Sequence, residues 1–308
     1  MIILLNPQAG GGTALDRWRR TSAILPPIRE KIELHFIGPQ LDLDEVVKTA
    51  VSRGDHHVLA AGGDGTVNAA LGALMRLPNS LRERVVFGAI GLGSSNDFHK
   101  PLDAAHMIEG IPVKMDFRHP DRRDVGSVLI NRNGQSSVHY FLINASAGVT
   151  AEGNALFNNP DILLAWLKRR STPAAILYAA LRALMQHENQ PCTIGIRGYS
   201  PRSFKLTNLG IVKNPHFSGS LHYEVPASYG DGNFQIFLAE DMHFIERVAL
   251  LYALSRGKFR GRAKTSSWQA TELTLASSRP FRLELDGETH QADRAEFTLL
   301  QRTLQVCS

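Results

Sequence analysis

Along the first third of the chain, short continuous apolar runs alternate with stretches whose apolar positions recur every three to four residues. MIILLN (1–6), IELHFIG (32–38), HHVLAA (56–61) and VVFGAI (85–90) read as strands buried on both faces, whereas 14–25, 43–52 and 67–77 read as helices. In the last of these, Val67, Ala70, Leu71 and Leu74 fall at i, i+3, i+4 and i+7. A β-α-β-α-β-α series of this kind predicts a parallel sheet covered on both faces, with ligands bound at the carboxyl ends of its strands. After about residue 125 the pattern changes to alternation, as in Phe234, Ile236 and Leu238 or Phe281, Leu283 and Leu285, which predicts half-buried antiparallel strands. A helical insertion at 161–186, broken at 171–173, interrupts them. The expectation is two domains: an α/β amino-terminal domain over 1–125, and a mainly antiparallel β-sandwich or barrel over 126–292.

Composition narrows the class. With 43% hydrophobic and 20% charged residues the chain is neither disordered nor membrane-spanning by composition. Its longest apolar stretches, 162–167 and 173–185, are short or broken by Arg182. The first residues lack a basic leader and read as the opening strand of a cytoplasmic protein. Cys192 and Cys307 have neither disulfide-framework nor zinc-site spacing, and none of the 12 histidines sits in an HExxH pattern. A net charge of +5 favours an anionic partner. The basic clusters at 17–20, 118–123, 168–170 and 256–264 read as solvated faces, or as contacts for lipid headgroups or nucleic acid; the function expected below has no nucleic-acid partner. The 166–185 stretch, with Lys168, Arg169, Arg170 and Arg182, fits lipid entry, a membrane surface or an amphipathic core helix.

Candidate chemistry gathers at three glycine-rich junctions, each after a predicted strand: NPQAGGGT (6–13), GGDGTVN (62–68) and GLGSSNDF (91–98). A strand, a glycine turn and a helix amino terminus present backbone N–H groups and the positive end of a helix dipole, and glycine lets a phosphate approach closely. The middle junction is not a P-loop, and Asn68 fails the third glycine of the dinucleotide fingerprint. Asp64 beside a phosphate suggests Mg²⁺, held directly or through water; the alternative is a tight turn in which Asp64 or Thr66 caps the helix. Asp97 reads as a cap or as an outer partner of the same ion. LELDGE (283–288) places Asp286 and Glu288 around a glycine, as an exposed acidic pair or as a plain Asp-Gly hairpin turn.

These residues carry a resemblance. Asn6-Pro7 with Gly10, Gly62-Gly63-Asp64-Gly65-Thr66 with Asn68, Gly93-Ser94-Ser95-Asn96-Asp97-Phe98, Asp116, FLINASAG (141–148), Asp231-Gly232 and Asp286-Gly287-Glu288 follow one another as in the diacylglycerol kinase catalytic family. The chain is similar to soluble bacterial lipid kinases of that family, which are related to sphingosine and ceramide kinases. GGDGT by itself is shared with NAD kinases and phosphofructokinases.

The resemblance implies an NAD-kinase/phosphofructokinase-like nucleotide-binding domain to which 293–308 return, a lipid-substrate domain, and a cleft where ATP with Mg²⁺ phosphorylates a lipid hydroxyl. It places ATP on Gly62, Gly63, Asp64, Gly65, Thr66, Val67, Asn68 and Ser94, bordered by Asn6, Gly10, Gly11 and Gly12, with Asn96 and Asp97 completing the third turn. It assigns a structural Mg²⁺ to Asp231 with oxygens at Ser228 and Asn233, and proton acceptance to Glu288, with Asp286 beside it and Asp64 at the phosphate end. Ser94 where threonine is usual, His99-Lys100 after Phe98, a short 97–116 segment and Gly230 before Asp231 depart from the family pattern. The implied function is an ATP-dependent lipid kinase, cytoplasmic and peripherally membrane-associated during turnover, with oligomeric state open and a homodimer among the options. An NAD-kinase-like enzyme and a non-catalytic lipid-binding protein are the alternatives.

Overall fold

The computed structural model describes residues 1–24 and 31–307. Leu25, the expected end of the first helix, and Ser308 lie outside them. Two compact units result, Met1–Val125 with Gln301–Ser308, and Gly126–Leu300.

The first unit runs β1 (Ile2–Leu5), α1 (Ala14–Ser22), β2 (Glu33–Phe36), α2 (Leu43–Ser52), β3 (His57–Gly62), α3 (Asp64–Arg76), α4 (Asn79–Arg82), β4 (Val86–Gly91), β5 (Met107–Ile108) and β6 (Ile111–Lys114). β1 is wholly buried, as a continuous apolar run requires when both faces are covered. β2 differs: among the described residues it pairs only with β1, and Phe36 is 53% exposed, so IELHFIG is an edge strand rather than a doubly buried one. α2 starts where Asp42 accepts the N–H of Glu45, and it buries Val47, Ala50 and Val51. α3 starts three residues before its apolar period because Gly63 is the N-cap and Asp64 and Gly65 occupy its first turn without joining the core stripe.

The second unit contains β7 (Asp121–Arg132, entering from the first), β8 (Gln135–Phe141), β9 (Asn144–Gly148), α5 (Val149–Asn158), α6 (Ile162–Arg170), α7 (Thr172–Gln186), β10 (Gln190–Ile196), β11 (Arg202–Val212), β12 (His216–Phe217), β13 (Leu221–His222), β14 (Phe234–Glu240), α8 (Phe244–Leu254), β15 (Thr265–Ala270), β16 (Glu272–Leu285) and β17 (Glu288–Val306). Its core gathers the inward residues of the alternating strands, with Phe141 stacked on Phe234 at 5.6 Å. The break in the helical insertion is Ser171, which ends α6 and caps α7 by accepting the N–H of Ala174, with Pro173 in the first turn.

The fold class expected from the pattern does not hold. Hydrogen-bonded pairing runs β15-β14-β11-β10-β16-β17-β4-β3-β1-β2 through one 15-stranded sheet rather than a wholly parallel sheet of NAD-kinase/phosphofructokinase type plus a separate sandwich. Antiparallel pairing dominates: β9 and β10 each bridge β11 and β16, so these pairings form a closed circuit. Among the described residues, parallel registers join β2-β1-β3-β4 and the end of β17 at Gln305 and Val306. β4 itself takes an antiparallel neighbour, β6, at Ala89 and Ile90. The physical reason lies in the partners of β4: the four residues of β6 include Pro112 and show no strand period, while β17 is long enough to pair with several strands in turn. No helix among the described residues is long and apolar enough to cross a membrane.

Candidate functional site

In the first unit the three glycine turns meet. The turn after β1 is joined to the next by Asn6, whose N–H donates to the Ala61 carbonyl (3.0 Å) and whose Nδ2 donates to Thr66 Oγ1 (3.1 Å). The turn after β3 is joined to the one after β4 because Gly62 O accepts the N–H groups of Leu92 (2.8 Å) and Gly93 (3.2 Å). Asp64 Oδ1 accepts the N–H of Phe98 at 3.0 Å. Gly63 and Gly93 touch so closely that a Cβ built on Gly93 would lie 2.4 Å from Gly63 Cα, and one on Gly10 would lie 2.6 Å from Leu92 O. Only glycine permits this approach.

Asn96, in the left-handed region at φ 50°, accepts the Gly93 N–H through Oδ1 and donates through Nδ2 to Gly91 O and Gly93 O. Its side chain therefore shapes the third turn. Thr66 and Val67 are buried, and their N–H groups donate to Gly63 O at 2.9 and 3.1 Å, so they shape the helix start rather than face a ligand. Gly11, Gly12 and Ser94 are exposed, and open space surrounds the positions a Cβ would take on Gly11 and Gly12. Gly65 lies with Asp64 in the first turn of α3, where backbone N–H groups have no intrahelical partner, and Asn68 follows one turn later. The donor set, glycine backbone around a helix start, fits a phosphate chain.

Two neighbours complete this region. Arg17, on α1, donates to the carbonyls of Leu92 (2.8 Å), Gly93 (3.1 Å) and Gly91 (3.2 Å), pinning the third turn from a residue that sequence reading places only in a basic cluster. Asp97 is buried and ion-paired with Lys100 at 2.6 Å. His99 is buried with neither ring nitrogen hydrogen-bonded among the described residues, and burial, helped by the Lys114 and Arg123 charges, lowers its pKa to about 3. Its imidazole is neutral at neutral pH.

The acidic pair of the second unit is not a pair. Asp286, expected to be exposed, is only 2% exposed: Oδ2 accepts the Leu142 N–H (2.7 Å), and Oδ1 accepts those of Ile143 (2.9 Å) and Asn144 (3.0 Å). It fixes the entry to β9 and is a poor candidate for proton transfer. Glu288, two residues on, is exposed at the start of β17. Sequence reading passed over Glu284, which is buried and accepts the Ser146 hydroxyl at 2.6 Å. A cavity of about 190 Å³ in this unit, lined by Glu152, His187, Arg282 and Gln291 among others, contains none of the expected site residues.

The loop assigned to magnesium does not fit a metal. Asp231 Oδ1 is taken by the Lys213 ammonium at 2.5 Å, and the same ammonium donates to the main-chain oxygen of Asn233 at 2.8 Å. Among the described residues no three His, Cys, Asp or Glu side chains cluster to hold a metal ion.

Comparison with known proteins bears on the whole chain. Residues 1–128 match the family model for the diacylglycerol kinase catalytic domain. The chain is 26% identical over 317 residues to a diacylglycerol kinase of Staphylococcus haemolyticus, covering 99% of this chain and 87% of that protein. It is 25% identical over 250 residues to one from Staphylococcus aureus, covering 81% and 73%. A crystal structure of a diacylglycerol kinase from Bacillus anthracis superposes with a TM-score of 0.64 at 16% identity, covering 99% and 95%, a likeness of fold. Residues 1–128 are thus similar to the diacylglycerol kinase catalytic domain, and the chain is a distant homologue of bacterial proteins that carry that name.

Proposed function

We propose that the protein is an ATP-dependent lipid kinase that transfers a phosphoryl group to the hydroxyl of diacylglycerol or a related lipid. The observation that carries this reading is the convergence of three glycine turns on the start of α3, within the residues that match the catalytic-domain family. Bound ATP with Mg²⁺ would supply the phosphoryl group and neutralise its charge. The chain's part is positional: backbone N–H groups of Gly10, Gly11, 62–65 and Ser94 hold phosphate oxygens, with Gly12 bordering them, Asn6 and Asn96 keep the turns in place, and Asp64 takes the magnesium side of the phosphates. Glu288 is the proposed proton acceptor for the lipid hydroxyl, because Asp286 is committed to backbone N–H groups.

Peripheral contact with an anionic membrane surface belongs to the same proposal. Ile162 (92% exposed), Leu163 and Trp166 stand on α6, which ends in Lys168, Arg169 and Arg170. Apolar side chains beside a basic helix end suit the boundary between acyl chains and acidic headgroups.

Incubation of the purified protein with Mg²⁺-ATP and a lipid panel, read by mass spectrometry, tests the reading. Phosphorylated lipid is expected, with Asp64→Ala and Glu288→Ala folded but depleted in product. Phosphorylation of NAD⁺ in place of every lipid would overturn the assignment, and full activity of the Glu288 variant would remove it as the base.

A further inference from the structure

Lys213 directly follows β11 and turns its side chain inward, leaving 1% of it exposed. Its ammonium lies 2.5 Å from Asp231 Oδ1 and 2.8 Å from Asn233 O, and its own carbonyl accepts the Ser228 N–H at 3.1 Å. The loop closes around that charge: Asn233 N–H donates to Asp231 Oδ1 (3.2 Å), and Asn233 Nδ2 donates to Asp231 O (3.2 Å). Partial burial alone would raise the Asp231 carboxyl pKa, but bonds from Lys213, the Asn233 N–H and the Ser228 hydroxyl outweigh it and hold the group below its ordinary range. These are the residues that the family resemblance assigns to a structural magnesium.

A divalent ion would find the carboxylate and the Asn233 carbonyl already engaged by an ammonium. Mg²⁺ requires about six oxygens at about 2.0–2.1 Å, and Ca²⁺ six to eight at about 2.3–2.6 Å. The loop offers one carboxylate, already bonded to an ammonium, and Gly230 supplies no side-chain oxygen at the position before it. A second cation on Asp231 Oδ1 would also meet the Lys213 charge at close range.

We infer that the Lys213 ammonium is the resident cation of the 228–233 loop, standing where the resemblance expects a metal, so that this loop is held together without a divalent ion. The inference does not depend on the kinase reading, because its test reads stability without nucleotide or lipid.

Thermal unfolding of the nucleotide-free protein, followed with Mg²⁺, with Ca²⁺ and with a chelator, tests it. The wild type is expected to melt at the same temperature in all three. Lys213→Met is expected to lower Tm by roughly 5 °C or more in chelator, and to recover part of that loss with Mg²⁺ or Ca²⁺. Adding Asp231→Asn to Lys213→Met should restore stability relative to Lys213→Met and abolish the response to ions. The inference is overturned by a saturable Mg²⁺-dependent rise in the wild-type Tm that Asp231→Asn removes, or by a Lys213→Met protein that melts like wild type in chelator. If Lys213→Met does not fold, the wild-type titration with its Asp231→Asn control still decides.

Discussion

The glycine turns of the first unit and the acidic turns of the second use the same residue types for opposite ends. Around Asp64 the side chains of Asn6, Asn96 and Arg17 are spent on carbonyls and neighbouring turns, which leaves glycine backbone at the surface for a ligand. At Asp286 it is the backbone that is consumed: three consecutive N–H groups fold onto one carboxylate and bury it. At Asp231 a lysine closes the turn. An aspartate beside a glycine thus says little about chemistry until its partners are known, and those partners are decided by distant chain.

The sharpest way to break that contrast is to treat the two carboxylates of LELDGE alike. Asp286→Asn should cost about 3–5 kcal/mol, because it turns an acceptor of three buried N–H groups into one that also presents donors to them. A fall in Tm on the order of 10 °C is expected in thermal unfolding. Glu288→Gln should change stability by less than about 0.5 kcal/mol while lowering lipid phosphorylation by about 10²–10⁴-fold. Equal stability of the two variants would erase the distinction between a buried clamp and an exposed base.

Next comes the contact between turns. Gly93→Ala forces a methyl group against the Gly63 backbone and should cost about 1–3 kcal/mol and weaken ATP binding in calorimetry. Undiminished ATP affinity in that variant would separate the convergence of the turns from nucleotide binding.

An effect seen only in acid, and absent at neutral pH, concerns His99. His99 stays neutral in the folded protein down to about pH 3, whereas in the unfolded chain it takes up a proton near pH 6.5. Below that value the unfolded state binds more protons, so the contribution of His99 to stability is intact above about pH 6.5 and is lost as pH falls toward 3, by up to about 1.4 kcal/mol per pH unit. In urea titrations across this range His99→Leu should flatten the slope; an unchanged slope would assign the acid lability elsewhere.

The smallest effect on the fold is expected at the surface. Trp166→Ser, at a half-exposed position, should alter stability by less than about 0.5 kcal/mol. It should nonetheless weaken co-sedimentation with anionic vesicles, and equal binding to neutral vesicles by the wild type would argue against the headgroup contact.

How far the sequence could be read depends on the distance to a residue's partners. α2 was legible to the residue, and β1, β3, β4 and α3 nearly so, because period and capping are local. α5 was missed, since Gly153 falls inside it and weakens its period. The sheet class was misread where β6 and β17 join β4, because antiparallel and parallel neighbours of one strand leave no mark on its own apolar run. The clustering of the glycine turns follows from strands that end on one side. The burial of Asp286 does not, because its donors lie more than 140 residues away, at Leu142 to Asn144. Lys213 is the same case at shorter range: nothing in KNP marks that lysine as the counter-ion of an aspartate 18 positions on.

β17 has a consequence for biosynthesis. Its last residues lie beside β4, Leu304, Val306 and Cys307 are fully buried, and the Cys307 N–H reaches Phe87 O at 2.8 Å. Although domains made early on the ribosome generally fold first, this one must wait with an open strand edge until the translation of residues 301–307. A ribosome-stalled nascent chain ending near residue 300 should therefore leave the early half sensitive to protease, and protection at that length would show that the half closes without its late strand.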